Sequence, residues 1–216
     1  AQVEGIFISH EHSDHIAGLQ QLLKRFDIPV YTKQGTWREI QDKLVVPKNQ
    51  LIELTKGSLT LGNLIVEPFA VSHDAADPIG INVFSGKDKA TVVTDTGIIS
   101  DDILHRIDDS TLLVLEANYD PHMLRFGPYQ PFLKQRVASD EGHLSNEMAA
   151  QALLMMKRPD FMQVILAHRS ENNNNAVLVT QTIGKMLVDG GVRIGPEMKL
   201  QHGQPNEIVS MQSIKR

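Results

Sequence analysis

A short stretch near the start of the chain restricts the possible folds more than any other part of the sequence. Residues 9–15 read Ser-His-Glu-His-Ser-Asp-His. Four side chains of types that bind metal ions fall within six positions, namely His10, His12, Asp14 and His15. An apolar run, residues 6–8, precedes the stretch, and an amphipathic segment, residues 16–26, follows it. This pattern predicts a strand, a tight turn that carries ligands, and then a helix.

The spacing within this stretch indicates how the ligands divide between ions. An extended backbone sends residues i and i+2 to the same side, so His10 and His12 can reach one ion. Asp14 and His15 lie at the turn into the predicted helix and suit a second ion. Histidine and carboxylate ligands fit zinc, manganese or iron, and the chain has no cysteine whose thiolate would narrow the choice.

The composition is that of an ordinary globular protein. A chain of 216 residues with 41% hydrophobic residues is expected to form one domain, residues 1–216, with a sizeable core. The net charge of −5 argues against a generally basic nucleic-acid-binding protein, but it leaves room for a local basic groove beside bound cations. The sequence shows no membrane-spanning stretch and no secretory signal pattern, and the absence of cysteine is compatible with a reducing cytosol. The oligomeric state is left open, with a homodimer as one option.

Five short apolar strands are each followed by a residue with useful chemistry. The five residues are His10, His73, Asp95, Glu116 and His168. Buried strands hold their ends rigidly, and loops that leave one edge of a sheet can converge on one spot. Chance could supply one or two such endings, but five predict a shared site.

The candidate ligands divide into a consistent two-metal arrangement. One ion would be held by His10, His12 and His73, and the other by Asp14, His15 and His168. Asp95 would bridge two divalent ions together with a water molecule or hydroxide, and Gly97 would let the chain turn sharply after it. Taken alone, His73 and Asp95 could equally be ordinary polar loop residues, but their positions at strand ends favour the metal-binding role.

Other local patterns predict the secondary structure around these residues. Residues 36–39 match a capping box, which predicts a helix from 37 to about 44. Two hairpin turns are expected between strands, at Gly62-Asn63 and at Ser85-Gly86. The tail from Gly195 onward carries little information.

The order His-x-His-x-Asp-His, followed by His, Asp and His on later strands, is similar to that of the metallo-β-lactamase family. The resemblance implies an α/β fold, an αββα sandwich with a binuclear metal site at one edge of two packed sheets. Members of the family usually have further strands before the first His motif, so the chain is expected to be truncated at its N-terminus. Members also often carry Leu where this chain has Arg169.

The fold alone does not fix the substrate, because members of the family hydrolyse lactams, thioesters and phosphodiesters. Asp95 disfavours a true β-lactamase, which typically lacks this carboxylate. Glu116 and His143 match the order in tRNA 3′-processing endonucleases, in which a Glu–His pair protonates the leaving oxygen. This resemblance implies catalytic roles for Glu116 and His143, and for Asp14 or Asp95 in positioning the attacking hydroxide. The alternatives are a strand-end carboxylate in a salt bridge and a histidine at a helix start.

Three segments match a narrower group within the family. The sequences EANYDPHML (116–124), KQRV (134–137) and GHLSNE (142–147) resemble the YycJ/WalJ-like bacterial proteins, which are cytoplasmic 5′→3′ DNA exonucleases. The resemblance implies a cytoplasmic enzyme that hydrolyses DNA phosphodiesters, acting on single strands or duplex ends. The alternatives are a small-molecule or cyclic-nucleotide phosphodiesterase, a tRNA-processing-type endonuclease and, less favoured, a thioesterase or lactonase.

Residues 119–142 contain three prolines and show weak periodicity, which predicts a long excursion that faces the substrate. Three cations of this segment, Arg125, Lys134 and Arg136, could neutralise DNA phosphates, since residues 121–139 contain no acidic side chain. The interleaved aromatic residues, Phe126, Tyr129 and Phe132, could stack on unpaired bases or could equally pin the excursion to the protein. Ser170 and Asn172 could bind phosphate oxygens or cap the following helix.

Overall fold

The structure is a computed structural model that describes residues 3–55, 57–204 and 207–209. Its strands form two sheets. The smaller sheet has three parallel strands in the order β1-β2-β3, which are Ile6–Phe7, Val30–Thr32 and Leu51–Glu53. Each of these strands is short, and the residues between them form most of one helical layer.

The larger sheet has seven strands in the order β10-β9-β8-β7-β6-β5-β4. The strands are β4 (Leu59–Leu61), β5 (Leu64–Ala70), β6 (Ile79–Ser85), β7 (Asp88–Val93), β8 (Leu112–Glu116), β9 (Met162–Ala167) and β10 (Met198–His202). Neighbours from β4 to β7 pair antiparallel, whereas β7 to β10 pair parallel. Antiparallel neighbours are joined by hairpins, and the parallel neighbours need helical crossovers.

Helices cover the outer faces of both sheets. The helices of the described residues are α1 (Ser13–Ile16), α2 (Leu19–Leu23), α3 (Gln34–Gln41), α4 (Asp101–Ile107), α5 (Pro121–Phe126), α6 (Pro131–Val137), α7 (Asn146–Met155) and α8 (Ala176–Asp189), of which α5 and α6 pack on a separate small cluster. A short 3₁₀ turn, Lys48–Gln50, precedes β3. In the described part of the chain, no helix is both long enough and apolar enough to cross a membrane.

Three apolar clusters fill the spaces between four layers. The first, with Ile16 and Ile40, packs α1–α3 on the small sheet. The second, with Tyr31 and Ile79, lies between the two sheets. The third and largest cluster packs α4, α7 and α8 on the large sheet. Each fully buried Leu or Ile in these clusters contributes roughly 1.5–3 kcal/mol by leaving water. The layers confirm the expected αββα sandwich.

Strand direction brings the ends of several strands to one edge of the large sheet. The parallel register pairs Val93 of β7 with Leu115 of β8, and Leu115 with Leu166 of β9. Because β6 is antiparallel to both β5 and β7, β5 runs in the same direction as β7. The carboxyl ends of β5, β7, β8 and β9 therefore meet. His73, Asp95 and His168 follow β5, β7 and β9, and Glu116 is the last residue of β8.

Two helix predictions near the start of the chain were wrong in detail. The predicted helix 16–26 begins earlier, at Ser13, and breaks at residues 17–18 into α1 and α2. Leu22 and Phe26, two apolar residues of this segment, are 44% and 52% exposed. The capping box at 36–39 does not form, because α3 begins at Gln34 and the buried Thr36 hydroxyl donates to the carbonyl of Asp77 (3.3 Å).

The later part of the chain shows three further differences. The predicted excursion, residues 119–142, contains two short helices, α5 and α6, and each has proline in its first turn, where no amide donor is needed. The expected hairpin at Gly62-Asn63 is confirmed, but the other turn is shifted to residues 86–87, since Ser85 pairs with Asp88. The tail contributes β10, and its residues 205, 206 and 210–216 lie outside the described part.

Candidate metal centre and active site

Two of the residues at the strand ends have a left-handed backbone. Asp95, after β7, has φ 59°, and His168, after β9, has φ 50°. Non-glycine residues in this region typically cost on the order of 1–3 kcal/mol, so the surrounding structure must enforce the conformation. The strain occurs where the chain turns from the sheet edge into a shared cluster of ligand atoms.

The first predicted triad is brought together. One ligand atom from each of His10, His12 and His73 lies within 4.8 Å of the others. His12 Nδ1 is 3.3 Å from His73 Nε2, and the His10 and His73 rings are 5.0 Å apart between centroids. Three imidazoles at this spacing can hold one transition-metal ion.

The second predicted triad is also brought together. Ligand atoms of Asp14, His15 and His168 lie within 4.8 Å of one another. Asp14 Oδ2 is 3.5 Å from His15 Nε2 and 3.4 Å from His168 Nε2. Asp14 and His15 come from α1, and His168 follows β9, so the triad links the two sheets.

Asp95 lies between the two triads. Its Oδ2 is 3.3 Å from His15 Nε2, while its Oδ1 is 3.4 Å from His168 Nε2 and 3.7 Å from His73 Nε2. The side chain is only 3% exposed. A buried carboxylate that contacts both triads with different oxygens is placed where a shared ligand would be.

Neighbouring groups occupy the Nδ1 atoms of three histidines. Ser9 Oγ lies 3.1 Å from His10 Nδ1 and 3.3 Å from His15 Nδ1. The carbonyl of Gly142 accepts a hydrogen bond from His73 Nδ1 (3.0 Å). Each of these rings therefore keeps Nε2 as the nitrogen available to a metal, because a neighbouring group fixes the other nitrogen.

The other two histidines are held differently. His168 Nδ1 is 3.5 Å from Glu116 Oε2, which again leaves Nε2 for the cluster. His12 offers Nδ1, the atom 3.3 Å from His73 Nε2, and turns Nε2 toward Asp74 Oδ1 at 3.9 Å. His12 is therefore the one member of the first triad that would bind through Nδ1.

The donor atoms fit a bound metal. His10 is 1% exposed, and its Nε2 has no hydrogen-bond partner among the described residues. Burial, together with the charges of neighbouring histidines, lowers the pKa of His10 to about 2, so its ring is neutral. Burial also lowers the pKa of His15 and His73, against the charge of Asp95. Neutral imidazoles with a free, buried nitrogen are the form that binds metal ions.

Glu116 and His143 form a pair beside the cluster. Glu116 Oε2 is 3.0 Å from His143 Nδ1, and Glu116 Oε1 accepts hydrogen bonds from the backbone amides of Thr96 (2.9 Å) and Leu144 (3.2 Å). Burial would raise the pKa of Glu116, but hydrogen bonds from His143 and His168 outweigh it and lower the pKa to about 2. The charged carboxylate therefore fixes the orientation of the His143 ring.

The surroundings of His168 and Asp14 are also strongly polar. Burial lowers the pKa of His168, but its hydrogen bonds with Asp14 and Glu116 outweigh burial and raise the pKa to about 10. The hydrogen bond between His168 and Asp14 also lowers the pKa of Asp14. A metal ion at this triad would replace the proton that these two carboxylates favour on His168.

Two acidic residues near the cluster were missed by the sequence analysis. Asp74 Oδ1 is 3.4 Å from His73 Nε2 and its Oδ2 accepts a hydrogen bond from Arg136 Nε. Glu11, inside the first motif, points away from the ligands and accepts from the amide of Ala76 (2.8 Å). Asp74 directly follows His73 and Glu11 lies within the first motif, and these positions were a signal in the sequence. Their hydrogen-bond partners, however, are 62 and 65 positions away.

A cleft of about 1210 Å³ opens above the cluster. Of the residues predicted to bind substrate, Arg136, Ser170 and Asn172 line it, whereas Arg125 and Lys134 do not. Arg136 is paired with Asp74, so part of its charge is already compensated. Arg169 also lines the cleft and was not predicted to bind substrate.

Gly97 is required for a close approach between two loops. The sharp turn predicted at Gly97 occurs at Asp95, which itself has positive φ. A Cβ atom at Gly97 would lie 2.2 Å from the carbonyl oxygen of Ser139 and 2.3 Å from the carbonyl carbon of Asp140. The loop after β7 therefore packs directly on the segment that leads to His143.

Gly97→Ala is expected to destabilise the protein by roughly 1–3 kcal/mol, because the added methyl overpacks a backbone contact. It should also lower activity by displacing His143. The measurement is urea unfolding, with Gly184→Ala as the control. Gly184 lies inside α8, where a Cβ would meet only Ile194 Cδ1 at 3.9 Å, so this change should stabilise by about 0.5–1 kcal/mol. Equal unfolding midpoints for Gly97→Ala and the unchanged protein would contradict the contact.

Comparison with known proteins places the chain in a family. Residues 1–168 match the family model of the beta-lactamase superfamily domain. The chain is 35% identical, over 98% of its length and 81% of the relative's, to exodeoxyribonuclease YycJ of Bacillus anthracis. The chain belongs to the YycJ/WalJ family of the metallo-β-lactamase superfamily.

Other YycJ/WalJ relatives and solved structures agree. The chain is 31% identical, over 98% of its length and 80% of the relative's, to exodeoxyribonuclease WalJ of Streptococcus pneumoniae. Among solved structures, the metallo-β-lactamase-fold protein YhfI of Bacillus subtilis superposes with a TM-score of 0.66 at 16% identity, covering 91% of this chain and 74% of YhfI. The structural match shows the shared fold, and the sequence matches show the family.

Proposed function

We propose that this protein is a metal-dependent exodeoxyribonuclease that degrades DNA in the 5′→3′ direction in the cytoplasm. The observation that carries the proposal is the Glu116–His143 pair, 3.0 Å apart, beside two ligand triads in one cleft. A proton donor beside a metal centre suits a reaction that expels a basic alkoxide, as phosphodiester hydrolysis does. The exodeoxyribonuclease names of relatives at 35% and 31% identity support the substrate.

Two divalent ions, zinc or manganese, would occupy the centre. His10, His12 and His73 would hold one, Asp14, His15 and His168 would hold the other, and Asp95 would contact both. When bound, such ions supply Lewis acidity and activate a water molecule for attack near neutral pH. Nitrogen and carboxylate donors suit either metal.

The carboxylates and His143 would divide the proton transfers. Asp14, whose side chain is 63% exposed, and Asp95, at 3%, can accept hydrogen bonds from the attacking water and orient it toward phosphorus. His143 Nδ1 is engaged by Glu116, so the proton on Nε2 is the one available to the leaving 3′-oxygen. After the P–O bond breaks, this proton completes the 3′-hydroxyl of the departing product.

Residues along the cleft wall would hold the phosphates. Ser170 Oγ accepts from the backbone amide of Asn173 (3.2 Å), so its own hydroxyl hydrogen remains available to a phosphate oxygen. Asn172 lies beside it on the cleft wall. Arg169 and Arg136, whose charge is partly compensated by Asp74, also line the cleft and would add positive charge near the phosphates.

The direct test is cleavage of end-labelled DNA in the presence of manganese, zinc or magnesium. Linear DNA carrying a 5′ label should release labelled mononucleotides at once, whereas a 3′ label should stay on shortening chains. Circular single-stranded DNA of the same sequence is the matched control and should resist cleavage. Cleavage of the circle would indicate an endonuclease, and hydrolysis of small diesters without any action on DNA would favour a small-molecule phosphodiesterase.

A further inference from the structure

The helical hairpin formed by α5 and α6 carries two exposed phenylalanines, one in each helix. Phe126 is 68% exposed and Phe132 is 71% exposed. The third aromatic residue, Tyr129, packs with Leu133 on a buried cluster of Tyr119, Leu124 and Val137. Tyr129 therefore anchors the hairpin, whereas the two phenylalanines remain exposed to solvent.

Positive charge accompanies these exposed rings. The guanidinium of Arg125 lies 5.3 Å from the centroid of the Phe126 ring, and Lys134 Nζ donates to the carbonyl of Arg125 (2.8 Å). Neither of these two contacts involves an anion. Residues 121–139 contain no acidic side chain, although the chain as a whole carries −5. The surface combines aromatic faces with cations, the two features that bind unpaired nucleic acid.

The same hairpin forms part of the cleft wall. Tyr129, Leu133 and Arg136 line the cleft together with His143. Phe132 is the immediate neighbour of Leu133 on α6 but is exposed on the outside. The exposed ring of Phe132 therefore belongs to the same helix that forms this part of the cleft wall.

We propose that the exposed rings of Phe126 and Phe132, together with the cations Arg125 and Lys134, form an aromatic face that stacks unpaired bases of single-stranded DNA just outside the active site. The inference rests on the proposed nuclease function and specifies the form of its substrate. Bases in a duplex already stack on each other, so only an unpaired strand can offer its base faces to Phe126 and Phe132. Arg125 and Lys134 would contact the phosphates of the same strand.

A second copy of the chain fits this surface less well. A symmetric dimer contact places the same patch on both sides. The partner copy would then present the same two cations, Arg125 and Lys134, with no acidic residue in 121–139 to pair with them. Juxtaposed like charges oppose association, whereas a polyanion is attracted.

The test measures binding of the metal-loaded protein to nuclease-resistant phosphorothioate oligodeoxythymidine by fluorescence anisotropy. The double variant Phe126→Ala/Phe132→Ala is expected to bind at least about tenfold more weakly, from the usual strength of base–aromatic stacking. Its affinity for a duplex of equal length should change by less than about twofold. Phe26→Ala is the matched control, since Phe26 is 52% exposed and follows α2 on the other helical layer.

An oligomer of the same length without bases separates stacking from charge. The unchanged protein should bind this abasic strand as weakly as the double variant binds oligodeoxythymidine, and Phe126→Trp/Phe132→Trp should restore tight binding. Arg125→Ala/Lys134→Ala should weaken binding to both strands and reduce the salt dependence. Unchanged affinity of the double alanine variant, or equal losses for normal and abasic strands, would overturn the proposal.

Further outcomes separate this proposal from self-association of the chain and from the proposed nuclease function. If the double variant becomes monomeric while the unchanged protein is dimeric, and DNA affinity is equal, the aromatic face is a self-association surface and the proposal is wrong. Base-dependent binding without metal-dependent cleavage would contradict the nuclease function and leave the aromatic face standing. Metal-dependent cleavage without base-dependent binding would contradict the aromatic face and leave the nuclease function standing.

Discussion

His143→Ala is expected to lower kcat for DNA hydrolysis by about 10²- to 10⁴-fold, the usual contribution of a positioned general acid. Glu116 fixes the ring from 3.0 Å and is itself held by two backbone amides, so the loss should come from the missing proton rather than from a rearranged centre. The measurement is kcat on linear DNA. His105→Ala is the control, because His105 is on α4 with an 80% exposed side chain.

A change of leaving group isolates the role of His143. A bis(p-nitrophenyl) phosphodiester expels a weakly basic phenolate that needs no proton, so His143→Ala should hydrolyse it nearly as fast as the unchanged protein does. Equal losses on DNA and on this diester would mean that His143 positions the centre instead of donating a proton. His143 Nδ1 is also 3.8 Å from Asp95 Oδ1, so metal content must be measured too. Loss of one ion per chain would make His143 a ligand.

The residues of the candidate metal site could be predicted from the sequence because their signals are local. His10, His12, Asp14 and His15 share one motif, and the later ligands each follow a short apolar strand. Those strand ends converge because β7, β8 and β9 run parallel, which brings their carboxyl ends to one edge of the sheet. A prediction that needs only strand polarity and local spacing survives errors in helix boundaries.

Contacts between distant segments could not be predicted in the same way. Arg136 was assigned to phosphate binding on its charge, but it is paired with Asp74, 62 positions earlier, because of where α6 packs. Thr36 looked like a helix cap, yet its hydroxyl bonds to the carbonyl of Asp77. In both cases the side chain's chemistry was read correctly and its partner was set by tertiary packing.

The excursion between Glu116 and His143 was difficult to predict from the sequence for a different reason. Pro121 and Pro131 suggested irregular structure, although proline is well suited to the first turn of a helix. The sequence also left the three aromatic residues of this segment equivalent. Only burial separates Tyr129, which packs inward, from Phe126 and Phe132, which do not.

Asp95→Asn is expected to lower activity by at least about 100-fold, since even the residues that merely orient metal ligands typically contribute 10- to 100-fold. The amide keeps the shape of the side chain but removes the negative charge that lies within 3.3–3.7 Å of His15, His168 and His73. Two dications held close together repel each other, so losing a shared carboxylate should weaken binding of at least one. Metal content per chain and kcat measure the two effects.

The other left-handed aspartate supplies the control for this prediction. Asp109 has φ 56°, close to the 59° of Asp95, but lies at the surface in an ion pair with Lys157. Asparagine tolerates this backbone region well, so both substitutions preserve the local turn. Asp109→Asn should therefore keep full activity and metal content. If Asp95→Asn also keeps both, Asp95 is not a shared ligand. If Asp95→Asn instead unfolds in chelator while Asp109→Asn does not, the carboxylate supports the fold rather than the ions.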